Sequence, residues 1–235
     1  EGGAIYLAAS TLEMSLGCRI LHSTAEIGGA ILVNAGNMRM ADSCLIANSA
    51  STRDGGAIHI TSGSVIISGG SKILDSTTVN FGGAFYITSG VLLLRDGVMV
   101  VNSKSTWTGG AMFALDSTVT ISNGCVILSS DASVGGALNL VNTIFVMSAI
   151  SIIANSTAAT SGGAMALFGG SFVMTGGSSL SYSSANDGGA ISIGGTNSIC
   201  NLTDSVIEAS TSIRRGSVFD IVDANYPLLI LTFVE

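Results

Sequence analysis

Gly82-Gly83-Ala84-Phe85-Tyr86-Ile87-Thr88-Ser89-Gly90 opens one of eight stretches in which Gly-Gly-Ala precedes an apolar residue. The first glycines are Gly2, Gly28, Gly55, Gly82, Gly109, Gly135, Gly162 and Gly188, at steps of 26, 27, 27, 27, 26, 27 and 26 residues. A degenerate ninth copy, Arg215-Gly216-Ser217-Val218, reads 27 residues after Gly188. Self-similarity at a fixed period marks a repeat architecture. Such repeats specify a shape more sharply than an activity.

Within a repeat the apolar residues alternate. Counting from the first glycine as position 0, positions 3 and 5 hold pairs such as Ile58/Ile60, Phe85/Ile87 and Leu138/Leu140. Positions 10 and 12 hold Val65/Ile67, Leu92/Leu94 and Phe145/Met147. Position 18 is aliphatic throughout, as in Ile46, Ile73, Val100, Ile127 and Ile153. Period-2 runs separated by Ser/Thr/Gly clusters read as short strands joined by turns. Three strands per repeat, with no helical stretch, predict an all-β, single-stranded parallel β-helix of about nine coils. Each strand then pairs with its equivalent in the next coil at roughly 4.8 Å, giving a rod about 43 Å long. A right-handed wind is expected from the usual hand of parallel crossovers.

This divides the chain into eight coils over residues 1–214 and, over 215–235, a ninth coil with a capping or continuing segment. Tyr226-Pro227 followed by Leu228-Leu229-Ile230-Leu231 reads as a strand that leaves the repeat and covers the last edge. The chain opens in register with its repeat, which suggests a segment of a longer protein. The length slack lies mostly between a repeated serine and the next Gly-Gly, which predicts an exposed, insertion-tolerant turn there.

Composition excludes some classes. Hydrophobic residues make up 47% and charged residues 10%, the reverse of a disordered chain. A net charge of −7 argues against nucleic acid, whose phosphates call for basic stripes. The sequence has no run of 18 apolar residues to suggest a transmembrane helix, and no signal peptide is visible. No cofactor motif appears; the Gly-Gly pairs lack the following helix that a phosphate cradle uses.

Two ladders recur. Ser23, Ser49, Ser76, Ser103, Ser130, Ser156, Ser183 and Ser210 occupy one repeat position, preceded mostly by His, Asn, Asp or Ser. Eight identical serines are not a nucleophile, which needs a single base and orienter. The reading is structural: stacked polar side chains that satisfy backbone groups at a turn. Position 4, outward by alternation, reads Tyr6, Leu32, His59, Tyr86, Phe113, Asn139, Ala166, Ser192 and Phe219, with no charged residue. Its aromatic members, Tyr6, His59, Tyr86 and Phe113, are a candidate contact face.

A second candidate face lies at outward position 11, where Ile66, Leu93, Val146 and Val173 follow Glu13 and Arg39. Position 17 runs similarly from Arg19 to Met99, Val126 and Ile152. Contiguous apolar surface marks an interaction site. Protein partners or self-association are therefore expected, with carbohydrate as the second candidate. Asp42 and Asp96 share position 14 but stand two coils apart, too isolated for carboxylate-pair chemistry. Cys18, Cys44 and Cys125 share inward position 16; free buried thiols or a Cys18–Cys44 disulfide fit, whereas a metal site lacks partners.

Tandem Gly-Gly-Ala-aliphatic motifs, each after an aliphatic-x-x-Asn motif, carry a family resemblance. Leu45-Ile46-Ala47-Asn48 precedes Gly55-Gly56-Ala57-Ile58, and Ile152-Ile153-Ala154-Asn155 precedes Gly162-Gly163-Ala164-Met165. The pattern resembles the repeats of chlamydial-type polymorphic outer membrane proteins over residues 1–219. The family favours Phe where this chain has Leu, Met or Ile, and Asn is missing from several repeats. The resemblance implies an extracellular or cell-surface β-helix, adhesin-like or scaffolding; separately, the lack of clustered carboxylates on an outward strand face leads to the expectation that it is not an enzyme. The rival class is a carbohydrate-binding or carbohydrate-cleaving β-helix.

Overall fold

The computed structural model describes residues 2–222 and 228–232. The chain is an all-β parallel solenoid. One coil shows the plan: strands Ile31–Asn34, Asn37–Met40, Leu45–Ala47 and Ala50–Asp54, each followed by a corner. Successive coils pair in parallel and in register, as in Ile31↔Ile58, Met38↔Val65 and Ile46↔Ile73. The four strand stacks form three sheets among the described residues. The first two stacks merge because Leu138–Met147 and Met165–Met174 run through their shared corner.

Each corner turns on residues with positive φ. Ser62, Ser89, Asp116 and Asn142 turn the first corner, and Asp96-Gly97 and Asn123-Gly124 the second. The third uses His22, Asn48, Asp75, Asn102, Ser129 and Asn155, immediately before the ladder serines. That position is polar for a conformational reason: Asn, Asp and His enter the left-handed region more readily than most residues. The fourth corner uses the first glycine of each Gly-Gly, with φ between 51° and 68° from Gly28 to Gly216.

The second glycine is set by space. A Cβ on Gly29 would lie 2.1 Å from the Gly56 carbonyl oxygen and 2.5 Å from that of Ala50. There the fourth strand crosses so close to the first that the interior narrows to backbone width. The residues facing inward beside it are correspondingly small: Ser51, Thr78, Ser105, Ala132, Ala158 and Ala185 are buried. This fourth strand replaces the exposed turn expected from the sequence. The length slack does fall mostly within it, and is absorbed as register shifts, for example between Ala25/Ile27 and between Ala132/Val134.

The core fills the wider part of the coil. Ile46, Ile73, Val100, Ile127 and Ile153 form one buried, in-register stack. Phe85, Phe145 and Phe172 are its largest fully buried side chains, and the last two rings stack at 5.1 Å. The ladder serines sit at the narrow end. Ser49, Ser76, Ser103, Ser130, Ser156 and Ser183 are buried, and Ser23 and Ser210 half-buried. Their hydroxyls do little for the backbone. Ser156 and Ser183 reach a carbonyl two residues back at 3.3 Å, and those of Ser49, Ser103 and Ser130 have no partner. Serine is there chiefly because it is small.

The last coil corrects two expectations. Ile191 pairs with Phe219, so Gly216, not Arg215, stands in the place of the first glycine, 28 residues after Gly188. Phe219 then faces inward and packs on the core, and Asp220 takes the outward position. Leu228–Thr232 does not leave the repeat. It pairs in parallel with Ile199–Thr203 as the next rung of the second stack. Tyr226 and Pro227 lie outside the described residues.

Two substitutions test this geometry. Ile127→Ala opens a cavity mid-stack and is expected to cost about 2–5 kcal/mol by chemical denaturation. Gly110→Ala places a Cβ 2.1 Å from the Gly136 carbonyl oxygen, whereas one on Gly97 meets nothing within 4 Å. Gly97→Ala should therefore lose only the left-handed-backbone term of about 1–2 kcal/mol, and Gly110→Ala more. Equal losses from the two would refute the close crossing.

Candidate functional site

The outward row of the first stack runs in register from Tyr6 through Leu32, His59, Tyr86, Phe113, Asn139, Ala166 and Ser192 to Asp220. Outward position does not leave it exposed. Tyr6 is exposed and Tyr86 and Phe113 are half-buried, but His59, Asn139, Ser192 and Asp220 are buried. The cover comes partly from the fourth strand. The residues just before the Gly-Gly corner, among them Asp54, Phe81, Thr108 and Val134, form their own bridged row. Phe81 lies against Phe113 at 5.1 Å and against Tyr86 at 6.4 Å. The two rows together make an outer trough along the rod.

Register fixes the aromatic geometry. Neighbouring rungs are roughly 4.8 Å apart, close to a ring-stacking distance. His59 and Tyr86 stack at 4.6 Å with 23° between planes, and Tyr86 and Phe113 at 5.4 Å with 12°. The rings face one another along the rod axis. Their edges, not their faces, are turned outward.

His59 is buried, which corrects its reading as an exposed contact residue. Its Nε2 is 3.1 Å from Thr61 Oγ1. Burial lowers its pKa from 6.5 to about 4, helped by the nearby Arg53 and opposed by an Asp54 backbone hydrogen bond. The imidazole is neutral at pH 7. Asp54 is pushed upward by burial, against the pull of Arg53 and of hydrogen bonds from Phe81 and Asn80.

The one-residue shift of the last coil places a carboxylate in a row that reads as uncharged in the sequence. Asp220 lies 3.3 Å from Arg215, which is 3.1 Å from Asp187; Arg214 also pairs with Asp187. The two guanidiniums hold the Asp187 carboxyl below its ordinary pKa. Asp187 is therefore a paired anion, ill suited to donate a proton. Asp220 and His59 stand six rungs apart on one row, about 29 Å by the strand spacing. They cannot act on one bond.

The second candidate face is also in register: Glu13, Arg39, Ile66, Leu93, Thr120, Val146, Val173, Asn201 and Ile230. Ile66, Leu93, Val146 and Val173 are half-buried. The parallel row two positions earlier adds Val91, Ile144, Ile199 and Leu228, all exposed. Beyond the second corner, the outward row of the third stack contributes Met99, Val126, exposed Ile152 and exposed Val206. The four cysteines are free; Cys44, Cys125 and Cys200 are buried and Cys18 is exposed. Among the described residues no His/Cys/Asp/Glu group is placed to hold a metal, and no helix is long and apolar enough to cross a membrane.

Sequence reasoning found the aromatic row and missed its opposite wall. Asp54, Phe81 and Asp187 directly precede a Gly-Gly pair, which is the signal that could have located them. No family model matches the chain, and neither the curated proteins nor the solved structures contain a match.

The depressed His59 pKa has a consequence for stability. The unfolded chain takes up a proton at 6.5 that the folded chain refuses until about pH 4. Stability from this group is complete above pH 6.5 and falls as pH drops to about 4, by roughly 2–3 kcal/mol. Asp54, shifted upward, works in the opposite sense in acid. His59→Asn, with the residue found at Asn139 in the same row, should flatten the profile between pH 6.5 and 4. An unchanged slope in denaturation measured across that range would contradict the burial of His59.

Proposed function

We propose that this chain is a non-enzymatic segment of an extracellular or cell-surface protein, adhesin-like or scaffolding, whose β-helix assembles side by side with further copies in a fibre or coat. The observation that carries the reading is the apolar outer face of the second stack. Val91, Ile144, Ile199 and Leu228 stand exposed, with Thr118 and Ser171 between them on the same row, beside the half-buried Ile66, Leu93, Val146 and Val173. A patch of this kind marks a protein contact. Its ridges recur at the rung spacing of the solenoid, and a second copy offers grooves of the same period. The charged end, Glu13 beside Arg39, limits the face on one side. The repeat resemblance to polymorphic outer membrane proteins supports a surface location.

A second reading, carbohydrate binding along the trough, is favoured by one observation. Buried polar atoms without partners lie there: Asp54 Oδ1, Thr108 Oγ1 and Asn139 Oδ1. The stacked rings speak against it, because sugars pack on ring faces and these faces cover one another.

Sedimentation of the chain over a range of concentrations separates the two. Mass is expected to rise with concentration, and Leu93→Glu/Val146→Glu should hold the chain monomeric with an unchanged circular dichroism spectrum. A strictly monomeric rod at high concentration would sink the assembly reading. Titration with neutral and acidic oligosaccharides, giving saturable binding lost in Tyr86→Ala, would establish the second in its place.

A further inference from the structure

We propose that Ile150 anchors the lateral contact, and that two copies of this chain meet antiparallel across it, second corner against second corner. The inference rests on the assembly reading above and adds to it the anchoring residue and the orientation of the partner.

The second corner is turned by pairs of residues with positive φ: Asp42-Ser43, Gly69-Gly70, Asp96-Gly97, Asn123-Gly124 and Gly176-Gly177. In the middle of the rod one pair departs from this composition, Ala149-Ile150, at φ 54° and 56°. A β-branched residue in the left-handed region is an outlier that costs free energy. Little of that cost is recovered within the chain, because Ile150 is 67% exposed. Its Cγ2 leans over the next rung, where a Cβ on Gly177 would meet it at 3.3 Å. The turn itself does not call for isoleucine, since Asn123-Gly124 makes it one rung earlier. Ile150 also continues an apolar line on its own coil: Ile144 and Val146 lead up to it and exposed Ile152 follows. A strained, exposed isoleucine at the edge of an apolar face marks the place where a partner covers that face.

The same row supplies the matching surface. One and two rungs before Ile150 stand Gly124 and Gly97, and a Cβ on either would meet nothing within 4 Å. A two-fold axis running across the rod, halfway between the Gly124 and Ile150 rungs, seats Ile150 of each copy over Gly124 of the other. The contact is isologous, so one axis makes it twice. The same axis sets Leu93 of the apolar face opposite Val173.

Charge selects the antiparallel orientation. Asp204 turns this corner two rungs after Ile150, and Gly70 turns it two rungs before Gly124, with Lys72 just beyond at the start of the third strand. Lys72 and Asp204 are both exposed, and neither has an ion-pair partner among the described residues. The axis between Gly124 and Ile150 brings Lys72 of each copy beside Asp204 of the other, so two unpaired charges of each copy are matched. Parallel copies in register along this corner would instead set Ile150 on Ile150 and Asp204 beside Asp204, and like charges facing one another disfavour a contact.

The test is sedimentation equilibrium of the whole chain, with chemical denaturation alongside. Ile150→Gly relieves the backbone, so its unfolding stability should equal or exceed wild type, while its self-association weakens at least about tenfold. Lys72→Glu and Asp204→Lys should each weaken association, and the double variant Lys72→Glu/Asp204→Lys should restore it, because the exchanged charges meet again. Association that Ile150→Gly leaves unchanged, or a double variant no better than the single ones, overturns the inference and leaves the assembly reading standing. A loss of stability in Ile150→Gly would make Ile150 a packing residue and overturn its role as anchor. A wild-type chain that stays monomeric overturns both readings.

Discussion

Everything in this solenoid depends on turning a corner without losing a rung of hydrogen bonds. One or two residues with positive φ do this at each of the four corners of a coil. The corner amide still donates to the next coil, as His22 does to the Ala47 carbonyl at 3.0 Å and Gly28 to that of Asp54 at 3.0 Å. Because such corner amides stay paired, strands as short as the two-residue Thr77–Thr78 and Lys104–Ser105 hold in the stack. The need is met differently by place: always glycine at the Gly-Gly corner, where the chain crosses itself, and at the other corners mostly Asn, Asp, Ser, His or Gly, with Ala9, Leu16, Ile150 and Tyr182 among the exceptions.

Strict register then makes every side chain the neighbour of its own equivalent. Apolar equivalents gain from this, as Phe145 and Phe172 do in the core. Like charges would lose, and the outer rows place opposite signs on adjacent rungs instead. Arg53 lies 2.9 Å from Glu26, and Lys104 is 2.7 Å from Asp131. Amides serve the same end: Asn102 donates to Asp75 at 3.1 Å and Asn123 to Asp96 at 3.0 Å. These pairs are exposed, so each contributes little alone. Their value is that these neighbouring rungs attract instead of repelling.

The same logic explains what could be read in the sequence. The stack from Ile46 to Ile153 was legible because its inward residues are large and aliphatic at a constant spacing. The fourth strand was not. Its inward side chains are Ser51, Thr78 and Ala132, small because the interior is narrow there, so it carries no apolar alternation. The trough was half legible: alternation gives the direction of Tyr86 and Phe113, but burial of His59 depends on the wall behind it. Asp220 was misplaced because glycine count alone cannot distinguish Arg215 from Gly216 as the start of the last copy. Strand pairing can, through Ile191 and Phe219.

Hydrogen bonds between coils run along the length of the rod, and each coil is held by its two neighbours. Tension applied between the ends would therefore load these bonds one rung after another. A coil that gives way frees 26 or 27 residues, about 90 Å of extended chain, while the next coil is left as it was. Such a molecule yields under load in equal increments and can rewind from whichever coils remain, a mechanical character that follows from the corners rather than from any single residue.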